Sequence, residues 1–291
     1  MKTDQTFAGK VAIITGAGRG LGAAYARELA RRGASVVVND PGGAPDGQGA
    51  DAAPAQQVVD AIHAEGGTAI AHGADIVDRA QANDLVAAAR EAFGAVHILI
   101  NNAGIVRDRT FAKKDLDDFR AVVDVHLWGT INVSRAVWPI MIEQGYGRIL
   151  VTSSISGTLG SFGQADYAAA KTGVLGLMNT LALEGARYDI RVNAVSPAAA
   201  TRITEGVVSV DAFNRLKPEL VVPAALHLVG SDAPTKVAIQ AGGGQFSRVV
   251  FAQTPEVDLG QDVSLEDFAA AYSRIADLDR LSEVRAPETQ S

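Results

Sequence analysis

A tyrosine and a lysine, Tyr167 and Lys171, stand four residues apart in the run YAAAK, and Ser154 precedes them in the chain. Residues with this spacing share one face of a helix. The pKa of a free tyrosine is about 10, which is too high for an efficient acid or base near neutral pH. A cation held close lowers that pKa, and a serine hydroxyl can donate a hydrogen bond to an oxygen on which charge develops. The three residues are therefore candidates for acid–base chemistry at a substrate oxygen, although tyrosine–lysine pairs also occur on solvated helices.

A glycine run, TGAGRGLG at residues 15–22, lies between an apolar segment and a helical pattern. Glycines at such a point permit a tight turn, let backbone N–H groups approach a pyrophosphate, and let the helix lie close to the sheet. An ordinary tight turn is the alternative. We predict a dinucleotide site that includes Gly16, Arg19, Gly20, Leu21 and Gly22. Together with the tyrosine and the lysine, this site indicates hydride transfer between a nicotinamide cofactor and a carbonyl or an alcohol.

Asp40 follows the second apolar segment, at the distance from the glycines expected of a ribose-binding acid. A carboxylate there can accept hydrogen bonds from the ribose hydroxyls of NAD and would repel the additional phosphate of NADP. The alternative is an aspartate that starts a turn before Pro41. Arg19 points the other way, because a cation beside the glycines can hold that phosphate. We predict NAD as the cofactor, and NADP is not excluded.

Two further segments are predicted to line the cofactor cleft. Asp75 follows the third apolar segment, where it can meet the adenine edge or cap the next helix. The run NNAG follows the fourth segment, and the amide of Asn102 can either line the cleft or serve a structural purpose. The predicted cofactor residues here are Asp75, Asn102, Ala103 and Gly104.

Short apolar runs alternate with longer helical patterns along most of the chain. This alternation predicts a single-domain α/β fold of the Rossmann type, with a doubly wound parallel sheet and helices on both faces. The expected strands lie near 11–14, 35–38, 68–71, 96–100, 148–151 and 190–195. The expected helices lie near 21–32, 55–65, 80–93, 115–143 and 164–187.

The last part of the chain differs in composition from the rest. We predict a dinucleotide-binding catalytic domain over 1–255 and a polar C-terminal extension with one helix over 256–291. Ser264 is expected to cap that helix. Its apolar stripe, expected to pack on the main body or on another subunit, consists of Leu265, Phe268, Tyr272 and Ile275.

Composition excludes several classes of function. The formal net charge of −7 over 291 residues argues against a nucleic-acid or anionic-membrane partner. The chain has no cysteine, so disulfides, thiolate catalysis and zinc–cysteine sites are excluded, and no metal site is predicted. We see no signal peptide and no apolar run long enough to span a membrane. These features predict a cytoplasmic location.

The motifs resemble those of the short-chain dehydrogenases/reductases over about residues 8–250. The matching elements are the glycine run, the NNAG run, Ser154, the YAAAK run and Pro197 after the sixth strand. The resemblance implies that Tyr167 is the general acid/base, that Ser154 binds the substrate oxygen, and that Lys171 lowers the pKa of the tyrosine and binds the cofactor ribose. It also places Pro197 at the cofactor.

A narrower resemblance is to the (3R)-hydroxyacyl-CoA dehydrogenase unit of multifunctional β-oxidation enzymes. It rests on VNDPGG at 38–43 with the long loop that follows, NNAGIVRDR at 101–109, VHL at 125–127, GYGR at 145–148 and FGQA at 162–165. It implies an NAD-dependent dehydrogenase or reductase with an acyl-CoA-like small-molecule substrate. The alternatives are a sterol or other bulky secondary alcohol, and a nucleotide-binding sensor without turnover. A homodimer or homotetramer is also implied, through the helices near 115–143 and 164–187.

Two positions depart from the family pattern. His126 stands where many members have an asparagine that supports a proton-relay water, and it can serve that relay or be a packed histidine bonded to backbone. Ala198 replaces the glycine that commonly follows the proline. The next loops carry candidates for contacts with the cofactor or with an anionic substrate handle, which are Thr201, Arg202, Thr204, Arg215 and Lys217.

Overall fold

The computed structural model describes residues 6–199 and 215–283. Its central sheet has eight strands in the order β3-β2-β1-β4-β5-β6-β7-β8. The registers from β3 across to β7 are all parallel. The strands are β1 Val11–Thr15, β2 Ser35–Asn39, β3 Thr68–His72, β4 Ile98–Asn101, β5 Gly147–Thr152, β6 Ile190–Ala198, β7 Ala238–Gly242 and β8 Gln245–Val249. The predicted doubly wound α/β fold is confirmed.

The helices alternate with the strands, as a parallel sheet requires. They are α1 Gly20–Arg31, α2 Ala53–Ala64, α3 Arg79–Phe93, α4 Leu116–Val123, α5 Thr130–Gln144, α6 Ser156–Leu159, α7 Ala165–Gly185, α8 Val222–Val229 and α9 Leu265–Ile275. Short 3₁₀ turns occupy Phe111–Lys113, Ala186–Tyr188, Pro218–Leu220 and Leu278–Arg280.

The core lies on both faces of the sheet because neighbouring residues of a strand point to opposite sides. Ala12 and Ile14 of β1 join one cluster with buried residues of α1, α2 and α8. Ile13, between them, is equally buried but lies outside that cluster. The continuous apolar runs of the sequence are therefore explained by strands that are covered on both sides.

Two predicted boundaries were wrong. The single helix expected over 115–143 is interrupted by a π-helical turn, Asp124–Gly129, between α4 and α5. Strand β6 continues past Val195 to Ala198, so Pro197 lies within the strand rather than after it. The register with β5 ends at Val195, and Pro197 is opposite Ala241 of β7 alone. A proline fits there because one side of the strand no longer needs a ladder donor.

One arginine is among the largest fully buried side chains of the described chain. The Arg148 guanidinium, on β5, donates to the carbonyl oxygens of Gly147, Asp189, Gly230 and Ser231 at 2.6–3.1 Å. It also pairs with the Asp189 carboxylate at 3.1 Å. A buried charge of this kind is tolerated because its N–H groups find acceptors.

The chain divides into two compact units, one ending at Ser247 and the other beginning at Arg248. The second unit contains α9 and a two-stranded antiparallel ladder, β9 Ala252–Gln253 with β10 Ser282–Glu283. Ser264 caps α9 as predicted and forms a capping box with Asp267. The boundary predicted after residue 255 stays a prediction.

The apolar stripe of α9 is exposed at Leu265, Phe268 and Tyr272, so what covers it also stays a prediction. Across the two described ranges, no helix has both the length and the hydropathy needed to cross a membrane. The cytoplasmic location stays a prediction.

Candidate active site

The candidate residues meet at the carboxyl ends of neighbouring parallel strands, where ligands bind in folds of this type. The glycine turn follows β1, Asn102 follows β4, and Ser154 follows β5. Tyr167 and Lys171 lie in the first half of α7. Thr15 links two of these strand ends, because its hydroxyl accepts the N–H groups of Asn102 and Ala103 at 3.0 and 3.1 Å. Sequence reasoning had not singled out Thr15.

Lys171 is fully buried, and its Nζ donates to the carbonyl oxygen of Thr152 at 2.6 Å. Burial disfavours the ammonium form and lowers the pKa of Lys171 to about 7. The hydroxyl of Ser153 donates to the Lys171 carbonyl oxygen at 2.9 Å, which attaches α7 to the end of β5. Ser153 therefore has a positioning function that the sequence did not indicate.

Tyr167 faces the same place, with its ring centroid 5.5 Å from the Lys171 Nζ. Burial raises the pKa of Tyr167, a hydrogen bond with Ser154 lowers it, and the negative charge of Asp108 raises it further. The net direction is upward, opposite to the one predicted from the lysine. The reason is that the burial of Tyr167 itself is the largest influence on its pKa. The Lys171 Nζ is engaged with the carbonyl oxygen of Thr152.

Ser154 is positioned by the short helix α6 that follows it. Its Oγ accepts the backbone N–H of Ser156 at 3.2 Å, and its carbonyl oxygen accepts that of Gly157. These bonds fix Ser154 beside Tyr167, whose pKa it lowers. The structure thus brings Ser154, Tyr167 and Lys171 together, as the spacing suggested.

His126 lies in the π-helical turn and packs edge-on against Tyr167, with ring centroids 4.9 Å apart. Its Nε2 is 2.7 Å from the carbonyl oxygen of Ile105 and 3.2 Å from the backbone nitrogen of the same residue, so the ring is bonded to the backbone of Ile105. Burial and the charge of Lys171 hold the pKa of His126 well below its usual range. The imidazole is therefore neutral, and its buried Nδ1 has no partner in the described residues.

Gly104 is explained by this histidine. A Cβ at that position would lie 2.3 Å from His126 Cε1. The ring occupies the space that any side chain at 104 would need. A direct contact between Gly104 and the cofactor stays a prediction.

The glycine turn has the geometry that the sequence predicted. Gly16 and Gly20 adopt positive φ angles of 63° and 53°, which favour glycine. A Cβ at Gly22 would lie 2.3 Å from the carbonyl oxygen of Gly16, so the helix can start this close only with glycine there. Asn102 Nδ2 donates to the carbonyl oxygens of Thr15 and Gly16 and fixes the turn.

The start of α1 is suited to an anion. Arg19 is its N-cap residue and provides no side-chain cap, and the first turn of α1 has no acidic residue. The N–H groups there are left for another acceptor. Arg19 Nη1 is buried without a partner among the described residues, whereas Leu21 packs against the core. A pyrophosphate fits this donor set.

Asp40 starts the turn before Pro41, and its binding of a ribose stays a prediction. One carboxylate oxygen accepts the Gly18 N–H at 2.8 Å and the other accepts the Gly42 N–H at 2.7 Å. The second bond closes the turn around Pro41, and the first attaches the carboxylate to the glycine run. Each oxygen retains a lone pair for a ribose hydroxyl.

The remaining candidates lie apart from these contacts. Asp75 is exposed and accepts the N–H of Val77 at 2.9 Å, and it is Asp78 that caps α3. The helix-cap alternative for Asp75 was therefore wrong. Arg215 and Lys217 are exposed. Thr201, Arg202 and Thr204 lie outside the described residues.

Comparison with known families decides the class of the protein. The family model described as short chain dehydrogenase matches residues 10–212. The chain belongs to this family. It is therefore an oxidoreductase, as its Ser154, Tyr167 and Lys171 had indicated.

Peroxisomal multifunctional enzyme type 2 of Drosophila melanogaster is 48% identical over 96% of this chain and 47% of its own length. The solved structure of that enzyme matches with a TM-score of 0.81, at 34% identity over 97% of this chain and 48% of that one. This chain thus spans about half of that relative. The predicted resemblance to multifunctional enzymes is confirmed.

Two other proteins bear on the chemistry. Acetoacetyl-CoA reductase of Allochromatium vinosum is 33% identical over 81% of this chain and 98% of its own length. A 7α-hydroxysteroid dehydrogenase, solved with NADH and 7-oxo glycochenodeoxycholic acid, matches with a TM-score of 0.76 at 30% identity. That match covers 84% of this chain and 97% of the other.

Proposed function

We propose that this chain uses NAD(H) to interconvert a secondary alcohol and a ketone, and that the alcohol is a 3-hydroxyacyl-CoA. The proposal rests on one observation above all. Tyr167 lies between Ser154, which lowers its pKa, and the buried Lys171, whose Nζ is 5.5 Å from the Tyr167 ring centroid. These residues lie at the same sheet edge as the start of α1, where the N-cap residue Arg19 provides no side-chain cap.

The chemistry follows from these side chains. NAD(H), when bound, accepts or supplies the hydride. The Ser154 and Tyr167 hydroxyls donate hydrogen bonds to the substrate oxygen and stabilise the charge that develops there. Tyr167 gives its proton to that oxygen during reduction and takes it back during oxidation. The Lys171 ammonium, 5.5 Å from the Tyr167 ring centroid, is the positive charge that favours the phenolate form of Tyr167 against the effect of burial.

Asp40 supports NAD over NADP. Its carboxylate is held by the Gly18 and Gly42 N–H groups, next to the place where a ribose would follow the pyrophosphate. A phosphate on that ribose would meet a fixed negative charge. Arg19, with its unpartnered Nη1, is the opposing influence, and we assign it to the pyrophosphate.

The substrate class is supported by the relatives' names. The reductase from Allochromatium vinosum is named for acetoacetyl-CoA, and the multifunctional enzyme of Drosophila melanogaster is 48% identical to this chain. A bulky steroid alcohol is the second candidate, favoured by the bile-acid ligand in the structure of the 7α-hydroxysteroid dehydrogenase.

The test is a substrate panel read by NADH absorbance. We expect hydroxyacyl-CoA thioesters and acetoacetyl-CoA to give the highest kcat/KM, with sterols and simple secondary alcohols lower. A sterol with a higher kcat/KM than every thioester would show that the substrate is a bulky alcohol and not an acyl-CoA. Binding of NADH without turnover of any compound would favour the sensor and overturn the proposed enzyme.

A further inference from the structure

An ion pair lies hidden beside the candidate site. Lys114 Nζ and Asp166 Oδ2 are 2.6 Å apart, and each side chain is only 1% exposed. Removing two charges from water is unfavourable, and the attraction within such a pair often does no more than balance that penalty. A gain in overall stability therefore does not explain this pair well. The other contacts of Asp166 and Lys114 indicate a local role.

Asp166 holds the residue that follows it. Its other carboxylate oxygen, Oδ1, accepts the backbone N–H of Tyr167 at 2.9 Å. This N–H lies in the first turn of α7, where helical donors have no partner within the helix. The N-cap residue Gln164 makes no side-chain cap. The Asp166 carboxylate is thus the group that fixes the backbone of Tyr167.

Lys114 holds the segment on the other side. It follows the 3₁₀ turn Phe111–Lys113, and its Nζ also donates to the carbonyl oxygen of Arg107. Arg107 in turn pairs with Asp118 of α4 at 2.9 Å. The ammonium therefore joins the segment after β4 to the start of α7.

The same segment also contacts the surroundings of Tyr167 elsewhere, and Asp108 accepts a hydrogen bond from the Gln164 side chain at 2.8 Å. Ile105 binds the His126 ring that packs against Tyr167. The N–H of Arg109 donates to the carbonyl oxygen of Gly163, in the loop that leads into α7, at 3.0 Å. Lys114 and Asp166 form the only contact among these that is both ionic and buried.

We propose that Lys114 and Asp166 are a positioning pair that sets where the Tyr167 hydroxyl stands relative to the substrate oxygen. This inference rests on the proposed function, since it needs Tyr167 to act there. Neither side chain touches the reacting atoms. Both act through the backbone of Tyr167 and the segment that packs against its ring.

The decisive variant is Lys114→Met combined with Asp166→Asn. It leaves no unpaired buried charge, and the asparagine oxygen can still accept the Tyr167 N–H, so the chain should fold. The ionic connection between Lys114 and α7 is lost, whereas the contacts of Ile105 with His126 and of Arg109 with Gly163 remain. With acetoacetyl-CoA and NADH we expect kcat to fall about 10- to 100-fold, the effect of a small misplacement of a reacting group. The KM for NADH should stay close to that of the parent.

The pH profile separates positioning from a merely structural role. Displaced from Ser154, Tyr167 loses the hydrogen bond that lowers its pKa, so the limb of the kcat–pH profile that reports Tyr167 should move to higher pH. Single variants, Lys114→Met or Asp166→Asn, should lose both melting temperature and kcat. A double variant that regains melting temperature, kcat and pH profile together would overturn the inference.

Two controls complete the experiment. Arg27→Met breaks an exposed ion pair with Glu65, whose side chains are 52% and 40% exposed, and should change neither kcat nor pH profile. Tyr167→Phe separates the two proposals. If that variant keeps full turnover, the proposed function fails. If it loses turnover while the double variant retains parental kcat, the positioning pair alone fails.

Discussion

At the scale of single residues, the proposed chemistry depends on Tyr167. We expect Tyr167→Phe to bind NADH as the parent does, since the change removes one hydroxyl and leaves the glycine turn intact. Turnover should fall roughly 10²–10⁴-fold, the usual contribution of a positioned acid or base. Fluorescence titration with NADH and steady-state kinetics measure the two quantities. Unchanged turnover would remove Tyr167 from the mechanism.

The buried lysine predicts a pH-dependent stability. The pKa of Lys171 is about 7 in the folded chain and near 10.5 when unfolded. Between these values the unfolded chain binds more protons, so this residue makes stability rise with pH there. Below pH 7 the folded chain bears the full penalty of the buried ammonium.

We therefore expect Lys171→Met to raise the melting temperature of the cofactor-free protein most below pH 7. The gain should shrink from pH 7 upward and vanish near pH 10.5. Thermal melts of both proteins across that range test this, with activity lost in the variant. A gain that grows with pH would contradict the assignment.

Asp40 sets a prediction for cofactor choice. We expect higher kcat/KM with NADH than with NADPH, because the pinned carboxylate would face the additional phosphate. Asp40→Asn keeps an acceptor for one of the two N–H groups and removes the charge, so the ratio should shift toward NADPH. Steady-state kinetics with both cofactors measure it. A parent that prefers NADPH would mean that Arg19 governs the pocket.

At the scale of elements, strands were easier to predict than breaks in helices. The buried strands can be recognised in the sequence as apolar runs, such as residues 11–14 and 98–100. The π-helical turn at Asp124–Gly129 has no comparable signal in the sequence. No residue within the turn requires the backbone to depart from an α-helix. The turn contains His126, whose ring packs against Tyr167 and fills the space beside Gly104. Both contacts are tertiary and cannot be read from the local sequence.

In the candidate site, too, locally spaced residues could be predicted and residues paired by tertiary packing could not. The glycine turn, Ser154, Tyr167 and Lys171 could be found from spacing because they lie within single strand–turn–helix units. Lys114 and Asp166 could not, because they are far apart in the chain and their pairing depends on tertiary packing. Asp75 and Asp78 illustrate a further limit, since either could cap α3 and only the coordinates distinguish them.

Arg148 gives a stability prediction for strand β5. We expect Arg148→Met to lower the free energy of unfolding by roughly 2–4 kcal/mol, at about 1 kcal/mol for each carbonyl oxygen left without its donor. Chemical denaturation measures it. As a control, Arg90→Met removes an exposed pair with Glu143 at 3.8 Å and should change stability by less than about 1 kcal/mol.

At the scale of the whole molecule, we expect self-association. Large apolar side chains are exposed at Leu116 on α4, at Trp128 in the π-helical turn and at Leu183 on α7, by 76%, 54% and 55%. These are the helices that the family resemblance assigns to a dimer or tetramer interface. Light scattering should give the mass of a dimer or tetramer. Leu116→Glu combined with Leu183→Glu should reduce it, whereas a monomeric parent would refute the prediction.

The fit between Gly104 and His126 has a practical consequence for anyone who redesigns this catalyst. With only 2.3 Å between an added methyl carbon and the imidazole, even alanine at 104 demands a smaller neighbour at 126. Mutant libraries that vary residue 104 while keeping His126 should therefore yield few folded proteins. Randomising codons 104 and 126 together would allow a larger residue at 104 to be paired with a smaller one at 126, a combination that single substitutions at 104 do not reach.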